Sequence, residues 1–354
     1  MKAFLSLALF LAFLLCPAAC ADGVRSGLSL AAHQALPALF PFFAASALFV
    51  RTGLSHLLAR FAARPLAWLY GLPPAAAPIL ILGLTGGYPV GAATAAAALE
   101  QQLLTPEQAA RANAFCNCAS PGFCIGLVGL GVFGSARTGA VLYGVHALSA
   151  LLTGLLVARA APCRAQPYRP PEAGGEDFAS AFCGAVRQAA STALTVTAFL
   201  TMFSVLLALL QPVLSLCPYG AMLTGLVELT CGLQTLSSLP LTAGARLTLA
   251  SFLLGFGGLA VQFQVRAIAA PCALPMRGFV SAKLLHGALA AAITAALFRI
   301  SPRALAVSVP CIASGTPISG WAGIVFLILL SGFQFGLEKR RKMRYNGHDN
   351  IRLE

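Results

Sequence analysis

The sequence is short of charge. Asp, Glu, Lys and Arg make up 9% of its 354 residues, and only ten residues are acidic. A soluble domain carries about 25% charged residues, so most of this chain does not face water. Short segments of alternating polarity, the mark of a transmembrane β-barrel, are also missing. So are the G-x-S-x-G, H-E-x-x-H and Walker A patterns of common enzymes. An enzyme is not expected, no cofactor is implied, and ATP-driven transport by this chain alone is disfavoured.

What remains is apolar. Hydrophobic residues account for 58% of the chain and the mean hydropathy is +0.84. Runs of roughly 18 or more apolar residues recur along the whole length, which reads as an all-α polytopic transmembrane protein in a lipid bilayer. Counting every long run as a full crossing gives ten segments with both termini cytoplasmic; re-entrant hairpins would reduce this to eight. The net charge of +13 does not point to nucleic acid. Its densest run, "EKRRKMR" at 338–344, follows the last apolar stretch and fits a cytoplasmic juxtamembrane cluster.

Residues 1–22 form an N-terminal apolar segment, either a retained helix, which we favour, or a signal peptide. A first half spans 23–160, and a polar Pro- and Gly-containing linker follows at 161–180. The second half, 181–300, repeats an order of plain, broken, broken and plain segments, as expected of an internally duplicated domain. Residues 301–337 form a loop and a last helix, and 338–354 a basic cytoplasmic tail. In "LLTPEQAARANAF", Thr105, Pro106 and Gln108 predict a capped helix start.

The breaks carry the chemistry. Gly86, Gly87, Tyr88 and Pro89 interrupt the run at 78–99; Asn113, Asn117 and Ser120 surround Pro121; Gln262 and Gln264 follow Gly257 and Gly258. The alternation of Gln262 and Gln264 suggests an unwound stretch. A break frees backbone groups that hydrocarbon cannot satisfy, so they must meet a partner segment, water or a ligand. Glu228 is the one acid placed inside an apolar run, at a cost of roughly 2.5–3.5 kcal/mol at mid-membrane. It reads as a cation- or proton-coupling group, or as a protonated tie between helices, with Thr230 and Gln234 nearby. Together these residues predict a site for a small solute or cation; glycine packing and interhelical amide bonds are the competing explanation. His146 and His286 hold matching places in the last spans of the two halves and read as packing or hydrogen-bonding residues. Cys116, Cys118 and Cys124 do not match zinc-site spacing and read as small hydrophobes, so no resident metal is expected.

The stretches "LPALFPFF" (36–43), "GGYPVGA" (86–92), "FCNCASPGF" (115–123), "VELTCG" (227–232) and "GFGGLAVQFQV" (255–265) resemble, in order, landmarks of the YlbJ family. These are sporulation integral membrane proteins of spore-forming Firmicutes with a nucleoside-recognition or Gate domain. The resemblance implies a cell-membrane protein needed for spore formation and associated with the spore cortex. Homo-oligomerisation or contact with other sporulation membrane proteins would be in keeping with it. Three roles stay open on the sequence: a secondary-transporter-like protein, a non-transporting scaffold for cortex assembly, and a metal-ion gate using Cys116, Cys118 and Cys124.

Overall fold

A computed structural model describes residues 2–54, 64–160, 177–217, 220–236 and 239–301. Among these there is no strand; the chain is a succession of helices. The last helix expected at 318–337, the basic tail and most of the 161–180 linker lie outside the described residues.

The N-terminal segment is two helices rather than one. Helix α1 (Lys2–Leu15) buries no residue, and Pro17 opens α2 (Pro17–Leu30) after a bend of 95°. Glycine spacing explains how α2 is held. A Cβ on Gly23 or Gly27 would lie 2.5 Å from the backbone of Val205 or Thr201, so a G-x-x-x-G face lets two backbones meet. Both partner residues lie on the long helix Phe178–Leu216. A π-turn (Ala31–Ala35) leads into α3 (Leu36–Arg51).

The run at 78–99 is likewise divided, into α4 (Ala77–Thr85) and α5 (Val90–Glu100). At 1.5 Å per residue each is under about 20 Å long, short of the roughly 30 Å hydrocarbon core. Counting it as a single straight crossing therefore overstates the number of full spans. Helix α6 (Pro106–Cys116) starts at the expected capping box: Thr105 accepts from the Gln108 amide, and Gln108 reaches back to Thr105. After residues 117–122 the chain resumes as a π-helix (Phe123–Val132), then α7 (Ala136–Ala160).

Asp177 caps α8 (Phe178–Leu216), whose 39 residues extend about 58 Å. Helices α9 (Gly220–Val227) and α10 (Leu229–Thr235) meet at Glu228. Helices α11 (Ala243–Phe256) and α12 (Gly258–Ala269) meet at Gly257, and α13 (Phe279–Ile300) ends the described chain. Gln262 and Gln264 thus sit in a regular helix, which corrects the expected unwound stretch. The break lies before them, at Gly257 and Gly258 with φ of +82° and +70°, values that favour glycine.

Four helical stretches among the described residues are long and apolar enough to cross a membrane: α7, α8, α11 joined to α12, and α13. The bent pair at the N-terminus would make a fifth. The shorter apolar helices α3, α4, α5 and the π-helix complete the apolar set. The protein is an all-α polytopic membrane protein.

Candidate functional site

The four breaks pack on one another. Break one (86–89) is wedged against break two (117–122): a Cβ on Gly83 would fall 1.8 Å from the Cys116 carbonyl oxygen, and one on Gly91 2.3 Å from it. Gly87, at φ +85°, lies against Ser120. Tyr88 reaches the other way, donating its hydroxyl to the Leu254 carbonyl, with its ring against Gly257. Gly258, in the fourth break (257–258), in turn lies against the Leu229 amide and the Gly225 carbonyl at break three, the interruption at Glu228. Residues 86–89 are thus linked to the segment around Glu228 through Gly257 and Gly258.

Asn117 is the centre of break two and fully buried. Its Oδ1 accepts the Ala92 amide at 3.1 Å, so a side chain from one broken segment caps the first turn of α5 in another. Its Nδ2 donates to Asn113 Oδ1, and Asn113 Nδ2 lies 3.6 Å from Met276 Sδ. The amides that follow also find partners. Cys118 N–H donates to the Gly83 carbonyl at 3.3 Å, and Ala119 N–H to His146 Nε2 at 2.9 Å. Ser120 Oγ accepts from the Phe123 amide at 3.1 Å, which starts the next helical turn. Hydrocarbon would leave all of these groups unpaired; a neighbouring segment or the next turn supplies each one.

The Asn117 carbonyl, an orphan at the end of α6, accepts from Lys283 Nζ at 2.7 Å. Lys283 is only 1% exposed and was not singled out from the sequence. Its ammonium also bonds His286 Nδ1 at 3.0 Å and lies 5.4 Å from the centre of the Tyr88 ring. His286 Nε2 meets the His146 carbonyl at 3.0 Å. A carbonyl only accepts, so Nε2 carries the proton and Nδ1 presents its lone pair to Lys283. The two imidazoles lie against each other, tilted by 32° with centroids 4.5 Å apart. His146 and His286 thus meet, with His286 Nε2–H donating to the His146 carbonyl. The signal that could have exposed Lys283 is its position three residues before His286, on the same helical face.

Glu228 is 2% exposed, but its carboxylate is engaged. One oxygen accepts the Thr230 amide at 3.1 Å and the other the Cys231 amide at 2.6 Å. It is the N-cap of α10, and the helix dipole favours its negative charge. Gln262 Nε2 donates to the Phe256 carbonyl at 3.3 Å, satisfying the end of α11; Gln264 is buried beside it on α12. Gln234 lies elsewhere, donating to Gln34 at 3.0 Å. That pair stands at a cavity of roughly 500 Å³ lined by Gly122, Gly126 and Gly131 of the π-helix region. Gly122 ends break two, so the cavity begins where that break stops.

This arrangement defines a class: a multi-pass membrane protein whose interrupted helices share one buried polar core. The chain is similar to the sporulation integral membrane protein YlbJ of Bacillus subtilis (strain 168), 26% identical over 320 residues, covering 80% of this chain and 78% of that protein. The similarity supports the resemblance to the YlbJ family. No family model matches the chain, and no solved structure matches it.

Proposed function

We propose that the chain is an integral membrane protein of sporulation that moves a small solute or ion by a secondary-transporter-like route through the polar core between its broken helices. The observation that carries this reading is the meeting of break two with Lys283, His286 and His146, contributed by helices from both halves. Broken helices at a polar interface between halves are how many secondary transporters build substrate sites. A cavity begins beside Gly122, two residues after the buried Ser120. The sporulation role comes from the relative's name, and association with the spore cortex follows from the family resemblance.

Glu228 is less suited to coupling than its burial suggested, because two amides already hold its oxygens. The non-transporting scaffold is the second reading. It is favoured by the number of break-two amides that find partners within the chain.

Complementation of spore formation in Bacillus subtilis lacking YlbJ separates the two. The wild-type chain should restore heat-resistant spores, and Asn117→Ala and Lys283→Met, present in the membrane at wild-type levels, should not. Full restoration by both variants would favour the scaffold, and no restoration by the wild-type chain would count against the sporulation role.

A further inference from the structure

The polar core contains a cage of neutral donors built around a positive charge. Lys283 Nζ is held by a backbone carbonyl, an imidazole lone pair and an aromatic face. None of these is an anion. A buried ammonium normally has an acidic partner, and the buried acid Glu228 spends its oxygens on backbone amides. The cage therefore suits a cation as such, and the chain fills it with its own.

The same cage has a soft ligand. The sulfur of Cys118 and one nitrogen each of His146 and His286 all lie within 4.8 Å of one another, and all three residues are buried. The tautomers assign different tasks to the two rings. His286 turns a lone pair inward at Nδ1, because its Nε2–H is committed to the His146 carbonyl. This hydrogen bond is the outer-shell support that orients ligating histidines. His146 Nε2 accepts from Ala119, so its Nδ1 carries the proton, and that buried Nδ1 has no hydrogen-bond partner. A buried N–H without an acceptor is costly, so the surroundings of His146 hold an unmet donor.

We infer that Cys118 Sγ, His286 Nδ1 and the Asn117 carbonyl form a binding site for one soft or borderline metal ion, which the Lys283 ammonium occupies as a tethered cation. Binding the metal requires Lys283 to withdraw and Cys118 to lose its proton to solvent. The positive charge in the cage is then exchanged rather than added. His146 is a positioning residue: its carbonyl fixes the His286 tautomer. Thiolate and imidazole together select ions such as Zn²⁺ and Cu⁺ over Na⁺ or Mg²⁺. This inference deepens the proposed solute site and rests on it for location, but not on transport.

The test uses the purified full-length chain in detergent, titrated with Zn²⁺ and, for a spectroscopic signature, Co²⁺. Lys283→Met should bind one ion per chain at least about tenfold more tightly than wild type, in the range that supporting groups alter metal affinity. It should also show a sulfur-to-Co²⁺ charge-transfer band that Cys118→Ser removes. His286→Gln in the Lys283→Met background should weaken binding to a similar degree. A second arm needs no lysine variant: wild type saturated with Zn²⁺ should hold one more ion than Cys118→Ser. The inference is overturned if folded Lys283→Met gains no affinity and shows no band, or, should that variant not fold, if wild type and Cys118→Ser hold equal zinc. Either result together with failed complementation by Asn117→Ala would reject the metal while leaving the solute site standing.

Discussion

The interruption at 86–89 and the one at Glu228 each lead into a short helix, yet their caps are opposite in kind. At break one the first turn of α5 is capped from another segment, by the neutral amide of Asn117. At break three the first turn of α10 is capped from within, by the carboxylate of Glu228. A local cap stabilises its own helix whatever its neighbours do. A cap from another segment forms only when the segments are together, so it makes break one dependent on break two. The difference teaches that a buried acid is not automatically the working group. Asn117, Lys283, the two histidines and Tyr88 are among the residues that join segments far apart in the chain.

The sharpest way to break the comparison is to pry break one from break two. Gly83→Leu places side-chain atoms where the Cys116 carbonyl stands; it should cost about 3 kcal/mol or more and appear as loss of monodisperse protein in detergent. Asn117→Ala leaves the Ala92 amide without its acceptor in a dry site, at a cost of about 1–3 kcal/mol. Thermal unfolding should show a clearly lowered midpoint. Glu228→Gln keeps one acceptor oxygen but removes the charge and leaves one of the Thr230 and Cys231 amides without its acceptor, so it should cost about 1–2 kcal/mol; a loss larger than that of Asn117→Ala would reverse the ranking of the two caps.

The smallest effect belongs to a third cap. Asp177 is an exposed N-cap at the start of α8, and its bonds from Ser180 and Ala179 hold its carboxyl below the usual carboxylate range. A lowered folded value means its contribution is complete above the unfolded value of about 3.9 and disappears as pH falls through the lower folded one. Asp177→Asn should therefore flatten a slight loss of stability below about pH 4 and leave neutral pH almost unchanged.

The breaks were legible because glycine and proline announce them locally, and so was the capping box at Thr105. What closes the breaks was not. Lys283 stands near the start of an apolar run, where a lysine reads as an interfacial anchor. It is buried because α13 packs against the end of α6, 166 residues away along the chain. The alternation of Gln262 and Gln264 misled for a related reason. Helix α12 is surrounded closely enough to bury both residues, although they project about 200° apart, whereas Phe263 between them is half exposed. The matched histidines were visible as a pattern, but their hydrogen bond belongs to tertiary packing.

Amide hydrogen exchange on the purified protein tests most directly whether the breaks form one interlocked core. Residues at helix interruptions exchange quickly when they open to water and slowly when neighbouring segments hold their amides. The amides of Ala92, Cys118 and Ala119 should be protected as well as the interior of α13, and Asn117→Ala should release the Ala92 amide first. Rapid exchange of all three in the wild-type protein, with α13 still protected, would contradict it.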